Sequence, residues 1–312
     1  MENKSKRHHY IPRFYIKNFC NTKGSIFIND KDDSSNYNNI AVKYPKTIFF
    51  EWNRNTFEVN GEESIVIENI YGDIEDKIAP HLESLVNSNG SGGFTQVIDV
   101  VILRNLIYLG YLTKWRLPIN DDYVNQINSE VTFDDLNIFA KIETDIFSLN
   151  NAWPDTIASE IKRLLFPTQL FNRKEDYSKV FKNTFIISFP EPLFITDNPF
   201  VELTLDNEKE FPSFIFPLSS NLLLVYCDFI DKKEFVDILS KSDSYDKYLK
   251  YLYNCVQVTL MWHGLKYIGC EDKDYLEYYL SVVSELSDKI NEKGGNAPFI
   301  AFTALSNFKE FI

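Results

Sequence analysis

Apolar positions recur at helical spacing over Glu63–Val86, where Ile67, Ile70, Ile74, Ile78, Leu82 and Leu85 form one stripe. Pro80 interrupts that stripe and is expected to kink or split the helix. Phe94–Leu117 is apolar almost all round, which predicts a long central helix ending before Pro118. Further helices are expected over 121–130, 133–149 and 155–165. From Phe181 the period changes to two. Thr184–Phe189, Leu193–Thr196, Phe200–Leu205, Phe214–Phe216 and Leu222–Tyr226 read as strands joined by Pro-rich turns. Helices resume over 231–240 and 244–262, and two more fill 274–292.

Ahead of these elements, Pro12 suits the first turn of a short helix over Arg13–Cys20, with residues 1–7 as a mobile arm. Ser25–Asn29 reads as a strand, 30–39 as a loop, and Ile40–Phe50 as one or two more strands. Residues 87–93 (Asn-Ser-Asn-Gly-Ser-Gly-Gly) read as a flexible break inside a single domain spanning 1–312. There is no internal repeat. The fold class expected is α+β: a mostly helical body with a modest, largely antiparallel sheet.

Composition narrows the function classes. Hydrophobic residues make up 44% of the 312 positions, enough for a sizeable core. The net charge of −13 disfavours broad, non-specific nucleic-acid binding. A local basic patch at Lys4, Lys6, Arg7, Arg13 and Lys17 opposes the global sign and is a candidate nucleic-acid contact, or else a solvated tail. Cys20, Cys227, Cys255 and Cys270 form no CxxC pair, so neither a zinc ribbon nor a disulfide framework is expected. No signal-peptide pattern and no membrane span are visible, and a cytoplasmic location is expected. Walker, GxGxxG, GxSxG and HExxH patterns are absent, so no nucleotide-cofactor motif is present.

Four groups of residues could carry chemistry. His8 and His9 precede Pro12 and Arg13; histidine moves protons near neutral pH and ligates metals. In extended backbone the two rings point to opposite sides, and His9 is the favoured site residue. The alternative is a structural pair that ties down the arm. Thr196-Asp197-Asn198-Pro199 ends an apolar strand, where a rigid sheet would hold Asp197 and Asn198 as site residues. It would equally make a plain Asx turn. Arg104 lies inside the apolar helix and Arg116 near its end. Arg104 would either grip an anion or pair with Glu68, Glu75 or Asp197. Glu68 and Glu75 share one helix edge and could join His9 and Asp197 around a hard metal such as Mg²⁺ or Mn²⁺, or simply be surface carboxylates.

The opening His8-His9-Tyr10-Ile11-Pro12-Arg13-Phe14-Tyr15-Ile16-Lys17-Asn18-Phe19 resembles the "HHYxPxFYLxxF" signature of the family known as domain of unknown function 4238. Other matches follow in order. The Ile67–Leu85 helix with Glu68 and Glu75 resembles the family's "iE…iE" helix. Arg116-Leu117-Pro118 is similar to its "RtP". Phe194-Ile195-Thr196-Asp197-Asn198-Pro199 resembles its "FITSDNP" without the serine. Phe216-Pro217-Leu218-Ser219 resembles "fPLs", and Asn254 matches a late asparagine. The resemblance implies one domain in which the His pair, the arginine region and the Asp-Asn-Pro turn converge. It also implies an effector role in bacterial defence or toxin systems, beside a partner protein encoded nearby.

Three functions are open on these residues. The first is a metal-dependent phosphodiester hydrolase, a nuclease-like effector. There His8 or His9 would be base or ligand, Asp197 with Glu68 or Glu75 would hold Mg²⁺ or Mn²⁺, and Arg13 and Arg104 would steady phosphate. The second is a non-catalytic module that senses an anionic ligand, nucleotide or partner protein. The third is a nucleotide-modifying transferase gripping an NAD-like ligand without a Rossmann fold.

Overall fold

The computed structural model describes residues 6–32, 39–59, 61–88, 93–95, 99–130, 155–169, 180–203, 212–228, 245–292 and 297–308, with isolated positions at 230, 233, 235 and 237. It is an α+β fold whose centre is a five-stranded antiparallel sheet. That sheet contains β7 (Gly93–Thr95), β8 (Thr184–Ser188), β10 (Val201–Glu202), β11 (Phe214–Pro217) and β12 (Leu222–Tyr226), in the order β10-β11-β12-β8-β7. β8 and β12 are buried along their whole length. Alternation sends Phe185, Ile187, Leu223 and Val225 to one face and Ile186, Leu222, Leu224 and Tyr226 to the other. Both faces are therefore covered, which is why the runs Thr-Phe-Ile-Ile-Ser and Leu-Leu-Leu-Val-Tyr carry no polar alternation.

One face packs against helices of the C-terminal half: α6 (Tyr245–His263), α7 (Lys273–Glu292) and α8 (Ala297–Ser306). The other packs against α1 (Arg13–Lys17), α2 (Val66–Ser88) and α3 (Val100–Arg116). A smaller cluster joins α2 and α3 to α4 (Asp121–Glu130) and α5 (Asp155–Gln169) through Tyr71, Leu112, Val124 and Ile161. A second sheet runs β3-β2-β13-β9, from β2 (Ile26–Asp30), β3 (Ile40–Lys43), β9 (Ile195–Thr196) and β13 (Tyr267–Cys270). Two ribbons complete the strands: β1 (Arg7–His9) with β4 (Phe50–Trp52), and β5 (Phe57–Val59) with β6 (Glu62–Ser64).

Several expectations are corrected. Of the arm expected over 1–7, Arg7 instead opens strand β1, paired with β4, while 1–5 lie outside the described residues. Pro80, which is exposed, does not split the helix: α2 runs through it from Val66 to Ser88. Phe94 belongs to β7, and α3 begins only after Asp99, whose side chain caps it by accepting from the Val101 and Ile102 amides at 2.7 and 3.4 Å. The segment 274–292 lies in one helix, α7, rather than two. The expected helix over 133–149, most of that over 231–240, and positions 33–38 and 89–92 of the expected loop and break lie outside the described residues.

Most of the opening signature is core. Ile11, Tyr15, Ile16 and Phe19 are fully buried. Tyr15 stacks on Phe216 at 5.2 Å, and its hydroxyl donates to the Pro217 carbonyl at 2.5 Å. α1 thereby locks the chain start against the central sheet.

Candidate functional site

The β1/β4 ribbon has two chemically different faces. Its register pairs Arg7 with Trp52, His8 with Glu51 and His9 with Phe50. Alternation along strands puts Arg7, His9, Phe50 and Trp52 on the outer face and His8 with Glu51 on the inner one. The histidines do part, as their adjacency predicts. Phe49, just ahead of β4, has φ +54°, an unusual conformation for a bulky aromatic residue. Its carbonyl accepts from the Tyr10 amide at 3.0 Å, and its ring meets Tyr10 and Tyr267, which together hold it there.

On the outer face, His9 is 8% exposed and its Nε2 lies 3.0 Å from the Pro45 carbonyl oxygen. A carbonyl only accepts, so Nε2 carries the proton and neutral His9 keeps Nδ1 as an acceptor. Burial, then Arg13, lowers its pKa to about 4; Arg116 and Arg7 push the same way, against the Pro45 hydrogen bond. Arg7 lies over Phe50 and Trp52, 5.1 and 5.0 Å from their ring centroids. Arg7 and Arg13, both of which act on His9, are exposed, and so is Lys46, the residue after Pro45.

The inner face opens onto a polar network built on the buried His8, Asn55, Arg116 and Arg163. The Asn55 amide donates to His8 Nδ1 at 2.7 Å, and the Asn55 side chain donates to Glu68 at 2.7 Å. Arg116, 2% exposed, pairs with Glu75 at 2.5 Å and with Glu68 at 3.7 Å, and lies 3.8 Å over the Tyr71 ring. Arg54 holds Glu51 and Asp121 at 2.6 Å each and donates to the Arg116 carbonyl at 3.2 Å. Arg163 holds Asp121 at 2.7 Å and Glu160 at 3.2 Å. Burial raises the pKa of Glu75 despite Arg116, and that of Glu160 despite Arg163. Burial also pushes Asp121 up, but hydrogen bonds from Arg54 and Arg163 carry it below its ordinary value.

The expected site residues therefore divide. Arg116, Glu68, Glu75 and His8 share the inner network, while His9 and Arg13 belong to the outer face. Arg104 is exposed on α3, so the buried arginine paired with Glu68 and Glu75 is Arg116 instead. Asp197, 6% exposed, spends both carboxylate oxygens on the turn before β13, accepting from the Leu265 and Lys266 amides at 2.8 Å each. Burial raises its pKa against those hydrogen bonds. Asn198 lies 2.9 Å, through Nδ2, from His263 Nε2. Asn254 lies on α6, exposed, and accepts from the Tyr279 hydroxyl at 2.7 Å. The expected ligand set of His9, Asp197, Glu68 and Glu75 is thus not drawn together. Among the described residues no group of three His, Cys, Asp or Glu side chains is arranged to hold a metal ion.

Sequence reasoning missed Arg54, Asn55, Asp121 and Arg163. Arg54, Asn55 and Asp121 sit among polar neighbours and Arg163 on an amphipathic helix, and only folding brings them to Arg116. Trp52 was missed too, although Phe50-Glu51-Trp52 alternates as a strand with aromatics on one side.

Among the described residues, no helix is long and apolar enough to cross a membrane. A family model described as "Protein of unknown function (DUF4238)" matches residues 7–292. No curated protein and no solved structure matches the chain.

Proposed function

We propose that this chain, which belongs to the DUF4238 family of proteins of unknown function, is a binding module for an anionic ligand. The site is the outer face of the β1/β4 ribbon. One observation carries the reading: charge is sorted by face. Glu51, Glu68, Glu75 and Asp121 are engaged by Arg54 and Arg116 on the inner side. On the outer side the exposed Arg7 and Arg13 act on a neutral His9, and the exposed Lys46 follows the proline whose carbonyl holds that ring. On a chain of net charge −13, such a face attracts an anion locally while the rest of the surface repels long polyanions. His9 Nδ1 orients an acidic hydrogen of the ligand; Arg13 supplies a bidentate contact. The module works in the cytoplasm and passes its state to a partner protein encoded nearby.

The test is calorimetric titration of the full chain with pyrophosphate, for wild type and Arg13→Glu. The variant should bind about tenfold more weakly, the size of one lost charge-assisted contact. Equal affinities in the two proteins would sink the reading.

A second reading, the metal-dependent nuclease effector, draws on Glu68 and Glu75 lying together beside Arg116, as a carboxylate pair would for Mg²⁺ or Mn²⁺. It requires both to leave that arginine. Labelled single- and double-stranded DNA and RNA, incubated with either metal, decide it. Cleavage lost in folded His9→Ala and Glu75→Gln variants would favour the nuclease over the binding module.

A further inference from the structure

We propose that the ligand of the outer face is a nucleotide, whose base stacks on Trp52 and whose phosphate lies among Arg7, Arg13 and Lys46. This rests on the anion-binding reading and adds the part of the ligand that is not charged.

Trp52 is 61% exposed although it sits in a hydrogen-bonded strand opposite Arg7. The indole is already oriented: Phe50 meets it at 5.7 Å with the planes 85° apart, and the Arg7 guanidinium lies 5.0 Å from its centroid. The cation orders the ring, and the exposure leaves apolar surface open to a flat partner. An ordered indole beside fixed cations is the pairing that recognises a base together with its phosphate.

Dimensions agree with one nucleotide. The ribbon has two rungs on this face, Arg7 with Trp52 and His9 with Phe50, and two residues along a strand span about 7 Å. The two rungs therefore stand about as far apart as the base and phosphate of one nucleotide. β4 ends at Trp52, which is its one strongly exposed aromatic. A free mononucleotide and a single nucleotide of a strand share this chemistry.

Three probes separate the possibilities on the full-length protein: pyrophosphate, AMP and a labelled six-nucleotide single strand. Wild type should bind AMP more tightly than pyrophosphate. Trp52→Ala should weaken AMP about tenfold and pyrophosphate much less, since stacking acts on the base while Arg13 and Lys46 remain for the phosphate. Trp52→Phe should keep most of the AMP affinity and shows that the position, not the fold, is being read. Arg13→Glu should weaken both. A hexamer bound no tighter than AMP assigns the site to a free nucleotide; a hexamer bound much more tightly, with the same loss in Trp52→Ala, assigns it to a strand. Equal affinity for AMP and pyrophosphate, or equal losses of both in Trp52→Ala, overturns the nucleotide while the anion site stands. No pyrophosphate binding at all overturns the anion site, and this inference with it.

Discussion

Asp197 is held by two backbone amides, and that geometry assigns it a structural task. Its oxygens close the turn between α6 and β13, while Lys31 donates to the Met261 and Gly264 carbonyls at the end of α6. A carboxylate and an ammonium thus satisfy amides and carbonyls that the turn leaves unpaired. Asp197→Ala should cost about 3 kcal/mol, read by urea denaturation, because two amides lose charge-assisted bonds. Pyrophosphate affinity should be unchanged. A variant of wild-type stability that fails to bind the probe would contradict the assignment. A turn was legible in Thr196-Asp197-Asn198-Pro199, but it is not an Asx turn: its local bond runs from the Asn198 amide to Thr196 Oγ1 at 3.3 Å. The distant partners of Asp197 were not legible, since Leu265 and Lys266 offer only backbone groups that no side-chain pattern reveals. Arginine placement had the same limit. α3 is apolar on nearly every side, so nothing in its pattern distinguishes Arg104, which solvates, from Arg116, which is buried.

Helix α3 is also where element-scale packing is tightest. A Cβ added at Gly110 would lie 2.7 Å from the Phe200 ring and 3.3 Å from that of Phe216. Alanine would gain up to about 1 kcal/mol of helix propensity. Overpacking against two rings wedged in the sheet costs about 1–3 kcal/mol. Gly110→Ala should therefore be destabilising, by about 1 kcal/mol, seen as a lower urea midpoint at an unchanged slope. A raised midpoint would mean Phe200 swings aside freely. The helix was legible from its length and apolarity. Its start was not, because Asp99 reads equally as a capping residue and as one charge within an apolar run. Phe94 joins β7 because β8 offers it an antiparallel partner, a tertiary pairing stronger than local propensity.

At the scale of the whole molecule, buried ionisable groups set how stability depends on pH. Folding lowers the His9 pKa from its ordinary 6.5 to about 4, by burial first and Arg13 second. Between those values the unfolded chain binds more protons, so His9 contributes stability fully above pH 6.5 and loses it as pH falls toward 4. His263, buried and also lowered to about 4, acts in the same sense. Glu75, Glu160 and Asp197 are raised and act in the opposite sense, so a difference measurement is needed. The stability of wild type relative to His9→Gln should fall by on the order of 2 kcal/mol between pH 7.5 and pH 4.5. Urea denaturation at both values checks it; a pH-independent difference would show the ring to be solvated.

The sequence by itself determined what depends on near neighbours: the fold class, the α2 stripe, the strand runs after Phe181, the parting of His8 from His9, and family membership through the opening signature. Each follows from a local period or a contiguous motif. The tertiary structure alone decided what depends on distant partners. It buried Tyr15 and left Phe14 half-buried, tied Asp197 to the distant turn before β13, and set Arg116 rather than Arg104 against Glu68 and Glu75. It also drew Arg54, Asp121 and Arg163 into one network and left Trp52 facing solvent beside Arg7. A buried charge must find its counter-charge wherever the chain brings one, and that choice is made by packing over tens of residues, beyond the reach of local pattern.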